Sequence, residues 1–518
     1  MDTAKVKACL KKVPDSVWVL VMGGLGLLVG ALLQTSSKDG DDAHKEAMTV
    51  FVAYLKLPAD MWLKSLVMVV APFMVTNMSA SVAEVKQLQG AGSLGKISVL
   101  WYALTTLCAC ILGVVMSSII LINTVKQTEN FPASVIGNNA SAATKPLTKV
   151  AELKNPALVP RETIDSLIPK NFTAALSTND FLAIITVSII MGLMLRVPPP
   201  PKVEDEALEE GESKEEGTYY LYGFLKELND VCFTAISKLV LFTPFAIFSM
   251  MIGVAHKTDM SEMAGQMLLL YATVWAGQAV HALVTVPLLY FFFTRRLAFP
   301  LMKGVAKALL VALSTASSAA TLPVTIAMNI QNNKVRPSIA KFVCSLGATV
   351  NMDGSGIYFC SVAVFIMLSR GLSPTFGQLV VVAVMSTLMS CGASPIPGAG
   401  AVVFFAAILQ AVGVTGMENS PVFAVCIAFD WLGDRPATMV NVLGDSVGCK
   451  VVNTYAETHG VVNEMDSQES AVDEHLRRRK PSLMSFANET EKKNRNTWNK
   501  FNNSGDTRPI VIGMANRG

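Results

Sequence analysis

Apolar stretches long enough to cross a bilayer recur along this chain, at 17–33, 61–78, 97–122, 181–195, 235–254 and 267–293, with more between 305 and 449. A hydrocarbon core of ~30 Å needs about 20 apolar residues in a helix, and without water a lone segment satisfies its backbone groups only by being helical. The pattern therefore predicts an all-α polytopic membrane protein in a lipid bilayer. Composition agrees, with 52% hydrophobic and 16% charged residues. The formal net charge is only +3, which argues against a nucleic-acid partner. A cleavable signal peptide is a poor reading of the first stretch, because small residues suited to cleavage are missing and further spans follow.

Basic residues set the expected topology. Lys5, Lys7, Lys11 and Lys12 precede the first span, Lys86 and Lys96 lie between the second and third, and Arg295, Arg296, Lys303 and Lys307 follow the sixth. The positive-inside rule puts these in the cytoplasm, with the N-terminus (1–15) and the polar tail (459–518), which carries Arg477 to Lys480. The long polar loop 124–180 is then extracellular. It holds the sequons Asn139-Ala-Ser and Asn171-Phe-Thr, glycan acceptors if the protein passes through a secretory pathway. Segment 197–218, with consecutive prolines followed by a run of acidic residues, is an acidic cytoplasmic linker. The nine cysteines lack metal-ligand spacing and read as small packing residues.

The later apolar segments are interrupted. Ser314-Thr-Ala-Ser-Ser-Ala-Ala-Thr-Leu-Pro323 and Ser390-Cys-Gly-Ala-Ser-Pro-Ile-Pro-Gly-Ala-Gly400 each read as helix, turn, helix. Each precedes a second broken segment, Gly347-Ala-Thr-Val-Asn-Met-Asp-Gly354 and residues 434–448. Paired interruptions in corresponding positions point to inverted repeats around a binding site at mid-membrane depth.

Asp353, Asp434 and Asp445 fall in these segments, where an uncompensated carboxylate costs at least ~2.5–3.5 kcal/mol. Basic residues are scarce there, Arg435 being the main one, so the balancing cations must come largely from outside as metal ions or a ligand ammonium. On a helix Asp434, Thr438, Asn441 and Asp445 stack on one face. Asn351 and Asp353 flank a break that would free carbonyls for a hard cation such as Na⁺. Asp430 either joins the ion sites or faces water at the helix end. His281, in the sixth span, reads as a packed or hydrogen-bonded residue rather than a ligand, and no nucleophile–base pair or nucleotide loop suggests an enzyme.

These motifs, in this order, resemble the dicarboxylate/amino acid:cation symporters, which include the excitatory glutamate transporters and the neutral alanine-serine-cysteine exchangers. The resemblance spans roughly 12–458. It implies a transporter domain (16–458) of eight transmembrane helices and two re-entrant hairpins, a homotrimer, and an elevator mechanism. The scaffold spans would be about 16–82 and 181–255, and the transport domain about 97–123 and 262–458, in a multi-pass protein of the plasma membrane.

Carried over by position, one sodium site uses Gly347, Asn351, Asn441 and Asp445, and a second Tyr102, Thr105, Thr106, Asn351 and Asp353. A third lies among Thr349, Met352, Ser390, Cys391 and Ala393. Pro395 departs from the usual glycine at the second hairpin's tip. For substrate, the resemblance assigns Asp434 and Thr438 to an α-ammonium, Asn441, Ser317 and Ser318 to an α-carboxylate, Ile396 and Gly400 to the lid, and Ser355 to the side-chain pocket.

At Ala437 the acidic-substrate members carry an arginine that clamps a second carboxylate. Its absence favours small neutral amino acids such as alanine, serine, cysteine or threonine, with Arg435 balancing charge near the first hairpin. Phe359 stands where the acidic transporters keep a proton-carrying glutamate, which favours sodium-bound exchange over net concentrative uptake. Two alternatives stay open: an acidic amino-acid or dicarboxylate symporter using Arg435, and an anion channel, since family members conduct chloride.

Overall fold

The computed structural model describes residues 15–38, 41–89, 93–125, 169–177, 181–197, 219–257, 260–391, 401–414 and 420–459, and every regular element among them is a helix. The chain runs through α1 (Asp15–Lys38), α2 (Asp42–Gln89), α3 (Ser93–Leu121), the short α4 (Phe172–Ser177) and α5 (Phe181–Met194). Then come α6 (Tyr220–Val240), α7 (Thr243–Lys257) and α8 (Met260–Val280), which continues through a π-helical turn (His281–Thr285) into α9 (Val286–Thr294). After α10 (Phe299–Gly304) follow α11 (Ala306–Thr315), α12 (Ser318–Gln331), α13 (Pro337–Val350) and α14 (Asp353–Ser369). The described chain closes with α15 (Phe376–Cys391), α16 (Ala401–Ala411), α17 (Pro421–Ala428) and α18 (Asp430–Thr458). Most of the loop 124–180, nearly all of the linker 197–218 and all but the start of the tail lie outside the described residues, Asn139 included.

Four stretches, Asp42–Ala83, Ser93–Leu121, Met263–Thr294 and Pro337–Ser369, are long and apolar enough to cross a membrane, and α6 with α7 makes a fifth if that bent pair is one span. The apolar stretch expected at 235–254 is not one helix. The chain bends by 57° between α6 and α7. Most of α6 was missed because it is amphipathic: Tyr222, Leu225, Cys232 and Ile236 are buried, while Lys226, Glu227 and Asp230 lower its mean apolarity.

Two groups of helices pack most heavily within themselves, with lighter contacts between them, such as α7 on α17, α2 on α3 and α5 on α16. In one, α1 lies on α7, and α2 packs on α5, α6 and α7. Gly26 and Gly30, one turn apart, lie in the α1–α7 contact. A Cβ on Gly30 would sit 2.8 Å from Ala255 Cβ, and one on Gly26 3.0 Å from Met251 Cβ. Small residues let the two backbones approach where no hydrophobic effect drives helices together in lipid. In the other set α14 is the centre: all of its residues are buried, and it touches α3, α8, α15, α16 and α17. A helix apolar on every side is stable only when enclosed in this way.

Both hairpins form. Between α11 and α12 the chain turns at Ala316, whose left-handed backbone (φ 52°, ψ 34°) is costly for a residue with a Cβ. Ser317 then caps α12, its Oγ accepting the Ala320 N–H at 3.2 Å. α15 and α16 pack together as the arms of the second hairpin, whose tip, 392–400, lies outside the described residues. Of the two broken segments expected after the hairpins, one is as read: α13 and α14 are separated by Asn351 and Met352. The other is displaced. Residues 434–448 are continuous helix, and the interruption falls earlier, at Phe429 between α17 and α18. The glycines there serve close packing rather than unwinding.

Candidate functional site

Breaking the chain at Asn351 and Met352 puts the N-terminal turn of α14 against α3 on one side and α18 on the other. Asp353 is fully buried at that turn. Its Oδ1 accepts the Thr106 hydroxyl at 2.7 Å and the Thr105 hydroxyl at 3.3 Å. Thr105 also reaches Asn351 Oδ1 at 3.4 Å and the Tyr102 carbonyl at 3.2 Å. All five residues proposed for the second sodium site are thus in one buried cluster, although the Tyr102 hydroxyl itself turns away to Val343 O at 2.9 Å.

The first sodium set shares Asn351 with it. Asn351 Nδ2 donates to Asp445 Oδ1 at 3.0 Å and to the Asn441 carbonyl at 3.2 Å. Gly347 is seated against Asp445: a Cβ there would lie 2.7 Å from both the Asp445 Cγ and the Tyr102 hydroxyl. The donors are oxygens of carboxylate, amide, hydroxyl and backbone, the ligand chemistry of a hard cation. Of the third set, Thr349 and Ser390 bond within their own helices, to Leu346 O at 3.0 Å and Thr387 O at 2.9 Å. The Met352 sulfur lies 3.2 Å from Asn441 Nδ2. Cys391 ends α15, and Ala393 lies outside the described residues, as do the lid positions Ile396 and Gly400.

On α18 the stripe is present. Asn441 Oδ1 accepts the Gly354 N–H at 2.8 Å, and its Nδ2 reaches Ser355 Oγ at 3.3 Å. Thr438 is buried and bonds back to the Asp434 carbonyl at 2.9 Å. Ala437 is fully buried, its backbone so close to Gly354 that a Cβ on the glycine would lie 2.6 Å from Ala437 Cα. Of the hairpin serines, Ser318 is buried while Ser317 is half-buried and occupied in capping.

Arg435 spans from α18 to the first hairpin, where Nη1 donates to Ser314 O at 2.7 Å and Leu313 O at 3.3 Å. These carbonyls end α11, so the guanidinium caps a helix C-terminus. Asp430 does not face water at the helix end: it is buried, and accepts the Tyr358 hydroxyl at 2.9 Å.

The profile of the sodium:dicarboxylate symporter family matches residues 16–455, which includes every residue of this cluster. The chain belongs to the sodium:dicarboxylate symporter family. This symporter is therefore a multi-pass membrane transporter and not an enzyme. Its relatives include excitatory amino acid transporter 1 of Ambystoma tigrinum, 28% identical over 514 residues that cover 90% of this chain and 88% of that protein. Excitatory amino acid transporter 3 of Homo sapiens is 29% identical, with 83% of each chain covered. A Caenorhabditis elegans excitatory amino acid transporter is 27% identical over 78% of this chain and 82% of its own.

Sequence reasoning undervalued one residue of the symporter's site. His281 is fully buried, and its Nε2 lies 3.2 Å from Asp353 Oδ2. It is hydrogen-bonded, as read, but to the carboxylate of Asp353 at the centre of the buried oxygen cluster. Its Nδ1 has no partner among the described residues, so the tautomer protonated on Nε2 leaves only a lone pair unsatisfied. His281 opens the π-helical turn, a local widening frequent at functional positions. The signal available in the sequence was an ionisable residue inside an apolar span.

Proposed function

We propose that this symporter is a sodium-dependent exchanger of small neutral amino acids, of the size of alanine, serine, cysteine or threonine. Sodium ions occupy the Asp445 and Asp353 clusters, with a third near Thr349, Met352 and Ser390. The substrate ammonium rests on Asp434 and Thr438, and its carboxylate on Ser318, Ser317 and Asn441, beneath a lid bearing Ile396 and Gly400. The helices of each protomer divide into a scaffold and a transport domain that moves as an elevator in a plasma-membrane homotrimer. Supporting that division, α1, α2, α5, α6 and α7 pack on one another, while α3, α8 and α15 pack around α14.

The observation that carries the neutral assignment is the state of the two positions able to offer a guanidinium. Ala437 offers none, and Arg435 is committed to the carbonyls of Leu313 and Ser314. A side-chain carboxylate entering this site would be buried without a cation, at a cost of several kcal/mol.

The names of the relatives favour a second reading, an acidic amino-acid carrier, in which Arg435 pairs with the substrate's second carboxylate. Uptake of labelled serine and labelled aspartate into proteoliposomes, with and without a sodium gradient and with either amino acid preloaded, separates the two. Sodium-dependent serine uptake accelerated by internal serine is the expected result. Aspartate uptake with serine ignored overturns the neutral assignment.

A further inference from the structure

Pro436 stands inside α18, two residues after Asp434 and directly before Ala437. Proline has no N–H, so the carbonyl four residues earlier, on Leu432, has lost its partner within the helix. At membrane depth no water replaces it, and an unsatisfied carbonyl is costly. The missing donor comes from another span: Trp275 on α8 gives its indole N–H to Leu432 O at 2.9 Å. The ring is 44% exposed, so the residue is not there simply to fill a core.

The next two carbonyls also have side-chain donors. Gln278, nearly one turn further along α8, lies with Nε2 3.4 Å from Gly433 O and donates to Gly354 O at 3.1 Å. Thr438 donates to Asp434 O. Two of the three carbonyls in the turn of α18 that carries Asp434 are thus bonded from α8, and the third from within α18 itself.

We infer that Trp275 is a positioning residue for transport: by supplying the donor that Pro436 withholds, it fixes the turn of α18 that presents Asp434 to the substrate. This rests on the reading of Asp434 as the substrate's ammonium partner. Proline and tryptophan then form a pair, each making sense of the other. Without Pro436 the carbonyl would be satisfied internally and the indole N–H would be redundant.

The test compares Trp275→Phe in two backgrounds, wild type and Pro436→Ala, using purified full-length protein in proteoliposomes. Phenylalanine keeps an aromatic ring and removes the donor, and the loss of ring volume is common to both backgrounds. In the wild-type background Trp275→Phe is expected to raise the KM of the transported amino acid on the order of tenfold, with a smaller change in maximal rate. In the Pro436→Ala background, where the substituted alanine brings its own N–H, the same change is expected to cost less than about twofold.

Equal losses in the two backgrounds, or no loss in the first, overturn the inference. Melting temperatures of all four proteins accompany the kinetics, and a loss that tracks melting temperature alike in both backgrounds marks a packing role and overturns it too. The assay uses whichever of serine and aspartate the wild type accumulates. A wrong substrate assignment thus changes the label while the comparison of backgrounds still decides for or against Trp275.

Discussion

Gly444 lies on α18 where a methyl group has no room. A Cβ built there meets Asn351 Nδ2 and comes within 3.1 Å of Asp353 Oδ2. Asn351 cannot yield freely, because Nδ2 is bonded to Asp445 Oδ1 at 3.0 Å and to Asn441 O at 3.2 Å. Gly444→Ala therefore disrupts a neutral hydrogen bond, worth ~0.5–1.5 kcal/mol net, and one to a charged acceptor, worth ~1.5–3 kcal/mol. The sum, about 2–4.5 kcal/mol, is roughly 30- to 2000-fold in a binding constant.

Helix propensity works in the opposite direction, since alanine in a helix interior is favoured over glycine by ~1 kcal/mol. The loss should fall on sodium, because Asn351 belongs to both candidate cation clusters. The sodium concentration for half-maximal uptake is expected to rise at least about fivefold. The rise in melting temperature that sodium binding confers on the wild type by mass action should shrink in parallel. A Gly444→Ala protein that is folded and keeps the wild-type sodium dependence would refute the placement of both cations around Asn351.

Ala437→Arg, which adds the missing guanidinium, should reverse the preference, moving the ratio of aspartate to serine uptake by at least about a hundredfold; competition measurements check this. Gly30→Leu drives a branched side chain into Ile252 and Ala255 of α7 and should cost ~1–3 kcal/mol of packing, seen as a lower melting temperature with sodium dependence retained in the folded fraction. Asn171 is exposed at the start of α4, where its Oδ1 accepts the Thr173 N–H at 2.9 Å. In a glycosylating host, Asn171→Gln should remove one glycan, read as a step in gel mobility that glycosidase treatment of the wild type reproduces.

The sequence alone determined the solvent and the helical class, and set the expectations for the site. Long apolar stretches admit only helices in lipid, three aspartates in such stretches demand cations, and alanine at 437 offers no guanidinium. Those properties are local: each follows from residue type and spacing along one helix. Mean apolarity failed where a helix was amphipathic, as in α6, and glycines in 434–448 were mistaken for a break when they admit Asn351 and Trp101 to the surface of α18.

Tertiary structure decided what each polar group meets. His281 and Asp353 are 72 residues apart, Trp275 and Leu432 157, and Arg435 and Ser314 121. Nothing in a single helix's pattern specifies such partners. They follow from which faces of separate spans pack together, and in a medium without water those pairings are the only way the buried donors, acceptors and charges can be satisfied.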